Sequence, residues 1–160
     1  MFEVNQKVIH AREGLSTVVS ITNMGGNDYY IIHSDRGTGE NIYVLVNNVA
    51  HLIRPIMTLD EAKKVIEYMK SVKAEFISNT KQRRDQYKKR LLSGNVLDLA
   101  YLSCQLYFYN YYNANGQVVK LGPTDVQMLK DAEHILFDEL AISFGKNREE
   151  IGEYIASLFD

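Results

Sequence analysis

Cysteine and histidine are too scarce in this sequence for a disulfide framework or a metal centre. The single cysteine, Cys104, cannot form an internal disulfide, and the four histidines are scattered without the spacing of zinc ligands. Glu149 and Glu150 adjoin each other, but neighbouring residues of a helix point in different directions, so they do not make a paired acid-base site. We therefore expect no metal, no cofactor, no small-molecule substrate and no enzymatic activity, and we interpret Cys104 as a small buried apolar residue.

Long apolar runs are also missing. No stretch approaches the roughly 20 apolar residues that a membrane-spanning helix needs, and the N-terminal segment carries charge where a signal peptide would have its apolar part. We therefore expect a soluble protein of the cytoplasm. The formal net charge is -2 at pH 7, which argues against indiscriminate coating of nucleic acid and confines any such contact to a local patch.

The first third of the chain has the pattern of short strands. Alternating or β-rich apolar runs occupy residues 7–10, 15–22, 29–33 and 42–46, with glycine-containing turns between them. These turns lack the Gly-Lys-Ser/Thr ending of a phosphate-binding loop, so we interpret them as hairpin turns. Strands this short and this closely spaced predict a small, strongly bent barrel of the SH3 or Tudor kind.

Pro55 marks a change of architecture, because proline removes a backbone donor and disfavours helical angles in the residue before it. Thr58 and Glu61 have the spacing of a capping box at a helix start, and apolar residues recur at helical spacing from there to the end of the chain. The sequence thus predicts an α+β protein with a β-barrel domain at 1–56 and a five-helix domain at 57–160.

The second predicted helix provides the main functional signal. Against one acidic residue, Asp85, it sets six basic ones: Lys81, Arg83, Arg84, Lys88, Lys89 and Arg90. One interpretation is a solvated helix face, because long cationic side chains usually point into water. The other is a surface for nucleic-acid phosphates, where each neutralised phosphate releases counterions and makes binding salt-dependent.

Aromatic residues crowd the end of the third predicted helix. The cluster comprises Tyr101, Tyr107, Phe108, Tyr109, Tyr111 and Tyr112. Aromatic side chains beside basic ones can stack on splayed bases. So many within a dozen residues exceed what one helix face holds, however, so for most of them we favour packing in the core or between domains.

Three stretches carry a likeness to a known family. An N-terminal VNQKVIHAREGLSTVVSI is followed, in the helical region, by RLLSGNVLDLA and then MLKDAEHILFDELAIS. In this order, around an Arg-Pro junction, they resemble the CarD-like (CarD/CdnL) proteins, bacterial regulators that bind RNA polymerase. The resemblance spans nearly the whole chain and implies a non-enzymatic transcription regulator.

The resemblance implies that the N-terminal domain binds the lobe of the RNA polymerase β subunit through a strand edge. That edge aligns with Ile42, Tyr43 and Val44, with Met24 in the neighbouring turn. Strand addition to an exposed edge gives affinity through main-chain hydrogen bonds. Because relatives often carry arginines near the positions of Met24 and Tyr43, we expect a less electrostatic contact here. The alternative for Tyr43 is an ordinary half-buried strand tyrosine.

The resemblance also implies contact between the helical domain and promoter DNA at the upstream edge of the transcription bubble. The positions aligned with this role are Thr80, Lys81, Arg83, Arg84, Lys88 and Tyr109. Relatives carry a wedge-forming tryptophan where Thr80 stands and a DNA-facing arginine where Tyr109 stands. This chain has no tryptophan, so we expect contact with the phosphate backbone without a wedge. The alternative function is a protein-interaction adaptor that does not bind DNA.

Overall fold

The computed structural model describes residues 1–50, 52–73, 75–107 and 121–158. Its described strands come first: β1 (Lys7–His10), β2 (Gly14–Met24), β3 (Asn27–Ser34), β4 (Ile42–Leu45) and β5 (Ile53–Pro55). Its described helices follow: α1 (Leu59–Ser71), α2 (Thr80–Leu91), α3 (Val96–Tyr107), α4 (Pro123–Phe144) and α5 (Arg148–Ser157). The α+β class and the order of strands before helices are therefore confirmed.

The strands form one antiparallel sheet in the order β4-β3-β2-β1-β5. Gly25 and Gly26 join β2 to β3 with φ values of 60° and 85°, as a tight hairpin with two positive φ angles requires. The register of this pair shifts between Val18 and Ser20, and such a bulge bends the strand. In the described part of the chain β4 and β5 each pair on one side only, so the sheet is open and the SH3- or Tudor-like barrel is not confirmed.

Buried apolar residues form two clusters. The smaller one lies in the sheet region and contains Val8, Val18, Tyr30, Ile32, Val44 and Ile53. The larger one lies among the helices and is centred on α4, where Leu129, Leu136 and Leu140 have no exposed surface. Burying one such side chain contributes roughly 1.5–3 kcal/mol. The boundary between 56 and 57 stays a prediction, because two clusters do not show that either part folds alone.

None of the helices in the described ranges is long and apolar enough to cross a membrane.

The start of α1 confirms the predicted capping box. The hydroxyl of Thr58 accepts from the backbone N–H of Glu61 at 3.2 Å, and the Glu61 carboxylate accepts from the N–H of Thr58 at 2.8 Å. We expect Thr58→Ala to lower the free energy of unfolding by about 1 kcal/mol, because the N–H of Glu61 loses its partner. Equilibrium urea unfolding measures this loss. Thr58→Ser keeps the hydroxyl and should retain most of the stability; an equal loss in both variants would contradict the cap.

Candidate functional site

β4 is an edge of the sheet. Its antiparallel pairing with β3 joins Ile42 to Ile32, Tyr43 to Ile31, Val44 to Tyr30 and Leu45 to Tyr29. On its other side β4 has no strand partner within the residues that the structure describes. Such an edge presents backbone N–H and C=O groups that a strand of another protein can pair with. The segment aligned with polymerase binding is therefore at an open edge.

The side chains of β4 alternate between the two faces of the sheet. Val44 is buried in the smaller core, whereas Tyr43 is 49% exposed on the opposite face. Directly paired residues share a face, so Tyr43 lies with Ile31, and the next pair on that face is Leu45 with Tyr29. We call Tyr29, Ile31, Tyr43 and Leu45 the outer-face patch.

Met24 ends β2 at the tip of the hairpin and is 42% exposed. β2 and β4 lie on opposite sides of β3, so the structure separates Met24 from the β4 edge by one strand. Of the four residues aligned with polymerase binding, three therefore lie together on β4 and one does not.

Tyr29, Ile31 and Leu45 were not among the residues expected at this surface. The available signal was the spacing of two residues within 29–31 and 43–45, because side chains two apart on a strand share a face. The register that sets Tyr43 beside Ile31 is not visible in the sequence.

The basic helix α2 forms where the cap and the charges favour it. Asn79 precedes the first helical residue, Thr80, and its side chain accepts from the backbone N–H of Gln82 at 3.0 Å. Asn79 is therefore the N-cap of α2. Basic residues Lys88, Lys89 and Arg90 fill the last turn, where positive charge is stabilised by the helix dipole.

Three of the basic side chains share one exposed side of α2. Lys81, Arg84 and Lys88 recur at i, i+3 and i+7, which places them on one side of a helix, and all three are exposed. We call them the cationic face. Asp85 and Lys89 are exposed beside them, so the positive charge of Lys89 offsets the negative charge of Asp85 near this face. Thr80 is exposed as well, at the N-terminal end of the same helix.

Arg83 is directed into the protein. It is 7% exposed, and its Nε and Nη2 donate to Oδ2 of Asp125 at 3.2 and 2.9 Å. Its Nη1 donates to the carbonyls of Ile77 and Ser78, and its guanidinium carbon lies 5.2 Å from the ring centre of Phe76. The structure thus does not place Arg83 on the cationic face. This arginine ties α2 to the first turn of α4.

Arg90 is also engaged within the protein. Its guanidinium carbon lies 3.8 Å from the ring centre of Tyr101, and its Nη1 donates to Asp98 at 2.8 Å. The hydroxyl of Tyr101 accepts from the backbone N–H of Glu75 at 3.1 Å, and the partly buried ring packs against the larger core, as favoured from the sequence. Tyr109 and the rest of 108–112 lie outside the described residues, as does the side chain of residue 107.

Cys104 is buried, as expected for a small apolar residue. Burial raises the pKa of its thiol to about 12, so the thiol is protonated at neutral pH and does not act as a nucleophile. Its Sγ lies 3.7 Å from the carbonyl oxygen of Met69. The described residues thus present two candidate binding surfaces: the β4 edge with its outer-face patch, and the cationic face of α2.

Comparison with known families bears on the helical part. The family model of the CarD C-terminal domain matches residues 64–156, more than half of the chain. This match runs from within α1 into α5 and includes the cationic face and the whole of α4. Among curated proteins, none matches this chain.

Proposed function

The chain belongs to the CarD family, and we propose on that premise that it is a non-enzymatic bacterial regulator of transcription initiation. In this proposal β4 binds the β subunit of RNA polymerase, and the cationic face of α2 contacts the phosphate backbone of promoter DNA. The observation that carries it is an open strand edge and an exposed cationic helix in one chain whose helical part matches the family. Such a regulator works in the cytoplasm, where the polymerase is.

The β4 edge supports the polymerase contact in two ways. Its backbone can pair with a strand of the partner, and this pairing supplies main-chain hydrogen bonds between the two proteins. The outer-face patch beside it supplies apolar area, with Tyr43 as its most exposed aromatic residue. Because Met24 and Tyr43 stand where relatives often have arginines, this contact depends on area and strand pairing more than on charge.

The cationic face supports the DNA contact by its charge and exposure. Lys81, Arg84 and Lys88 present three positive charges along one side of α2. Binding of this kind to duplex DNA generally has a slope of log affinity against log salt concentration of about -0.9 for each phosphate neutralised. Elsewhere the chain has an acidic excess, so its net charge is -2. Attraction to DNA is therefore local and directed to α2, within a Debye length of about 8 Å at physiological salt.

We expect the combined variant Lys81→Glu, Arg84→Glu, Lys88→Glu to lose about a hundredfold in affinity for a short promoter fragment at about 0.2 M salt, because the contribution of three phosphate contacts grows by about three decades for each tenfold drop in salt below 1 M. Its plot of log affinity against log salt concentration should also flatten by about 3, because each lost phosphate contact removes close to one unit of slope. Fluorescence anisotropy over a series of salt concentrations measures both quantities.

The matched control reverses three exposed lysines on other helices: Lys63, Lys64 and Lys130. This variant has the same net charge and should keep the wild-type slope. Equal losses of affinity in the two variants would show that net charge alone causes the loss and that the cationic face is not the DNA contact. A wild-type protein with no measurable affinity at low salt would favour the adaptor function instead.

A further inference from the structure

Glu139 on α4 is fully buried and holds the segment that leads from the sheet into the helices. Its two carboxylate oxygens accept from Nη1 and Nη2 of Arg54 in β5 at 2.6 and 2.7 Å. One of them also accepts from the backbone N–H of Met57 at 2.8 Å. Ser143, one turn further along α4, donates to the carbonyl of Met57 at 2.8 Å. A buried carboxylate with this many donors fixes the orientation of the groups that bind it.

A second contact joins α4 to the loop that precedes β4. Arg36 lies in that loop, and its Nε and Nη2 donate to the two oxygens of Asp138 at 2.9 and 2.8 Å. Because Arg36 is half exposed, this pair adds little stability. Its two parallel hydrogen bonds nevertheless fix the orientation of Arg36 relative to Asp138. Asp138 also forms an ion pair with Arg148 of α5, whose Nε lies 3.5 Å from Oδ1 of Asp138.

A third contact is steric. Gly14, the first residue of β2, has a φ of 73°, and a Cβ atom built on it would lie only 3.1 Å from Cγ1 of Ile135. The backbone of β2 therefore lies directly on α4. Ile135, Asp138 and Glu139 are neighbours on this helix, and they contact three separate parts of the sheet region: the start of β2, the loop before β4, and β5.

We propose that Glu139 is a positioning residue that, together with Arg54, holds the β4 edge and the cationic face in one fixed relation. α4 is the common support, because it binds the sheet region through Glu139 and binds α2 through the pair of Asp125 with Arg83. Two surfaces fixed in this way bind as one bivalent unit, since engagement of the first raises the effective concentration of the second. The bivalent role rests on the proposed function, whereas the fixed relation does not.

Spin labels on the full chain test the fixed relation directly. Glu40→Cys, just before β4, and Lys89→Cys, on α2 but outside the cationic face, provide two exposed labelling sites; the buried Cys104 stays unlabelled. Double electron-electron resonance should give one narrow distance distribution. A broad distribution in this otherwise wild-type protein would overturn the proposal without any further variant.

Glu139→Gln tests the residue itself, because it keeps the shape of the side chain while removing the charge that pairs with Arg54. We expect the distance distribution to broaden about twofold, whereas the control Glu153→Gln, at an exposed site on α5, should leave it unchanged. If Glu139→Gln fails to fold, Arg54→Gln removes the same pair from the more exposed side. An unchanged distribution in a folded Glu139→Gln or Arg54→Gln protein would contradict the role of the pair.

Binding measurements then show whether Glu139 positions the two surfaces or only stabilises the fold. Glu139→Gln should weaken binding to the joint polymerase–promoter complex about tenfold, while affinities for the isolated β lobe and for free DNA each change less than about twofold. Parallel losses in all three would indicate a structural role only and overturn the bivalent assignment. If the wild-type protein binds neither partner, the proposed function is wrong. A narrow distance distribution would still support the fixed relation between the two surfaces.

Discussion

Replacing Asp125 with alanine should lower the free energy of unfolding by about 3–5 kcal/mol, the usual cost of removing one partner from a buried ion pair. Asp125 has no exposed surface, and the Arg83 side chain that it binds is 9% exposed. Without the carboxylate, the guanidinium stays away from water and keeps only neutral partners among the described residues, the carbonyls of Ile77 and Ser78 and the ring of Phe76. Urea unfolding followed by circular dichroism measures the loss.

Two variants show whether the buried pair is the cause. Arg84 also approaches Asp125, at 3.7 Å, but its side chain is 44% exposed, so Arg84→Ala should cost less than about 1 kcal/mol. The double variant Arg83→Leu, Asp125→Leu removes both charges and should lose less stability than Asp125→Ala alone. A double variant that is less stable than the single one would show that the ion pair itself, not an uncompensated charge, dominates.

The element types of this fold are local properties, and the sequence was sufficient for most of them, although none of the predicted strand runs covers β5 (Ile53–Pro55). Two-residue alternation before Pro55 and helical spacing after it separate strands from helices, because hydrophobic period follows backbone geometry. Caps such as Thr58 with Glu61 act within one helical turn. Closure of the sheet is different, since it depends on whether β4 and β5, the two ends of the strand order, meet in space. No local pattern encodes that contact, and the expected barrel was not confirmed.

The candidate site shows the same difference between local properties and contacts with distant parts of the chain. The charge of α2 is a property of composition, but the distribution of its cations over the helix depends on partners far along the chain. Arg83 pairs with Asp125, which lies 42 residues further along the chain. One local signal was available: Tyr87 lies one turn after Arg83 on the same side of the helix, and both are buried. A cation aligned with an apolar residue at i+4 indicates a side chain that faces the core.

Replacing Tyr43 with alanine should weaken binding of the full chain to the isolated β-subunit lobe about thirtyfold. Exposed aromatic residues at the centre of an interface commonly contribute about 2 kcal/mol or more, and Tyr43 is the most exposed member of the outer-face patch. The main-chain bonds of β4 remain in the variant, so the loss is partial. Isothermal titration calorimetry gives the affinity. Because arginines are missing from this edge, the affinity of the wild-type protein should also change little with salt, unlike its affinity for DNA.

The matched control for Tyr43→Ala is Ile142→Ala, which truncates an apolar side chain of similar exposure, 45%, on α4. It should bind the lobe like the wild-type protein, because α4 lies outside the strand edge. Equal losses in both variants would indicate a general effect of removing apolar surface. Unchanged binding by Tyr43→Ala would place the lobe at another surface and leave Tyr43 as an ordinary strand tyrosine. A selective loss supports the β4 edge, because both substitutions truncate a side chain of similar exposed fraction and the two side chains lie on different surfaces.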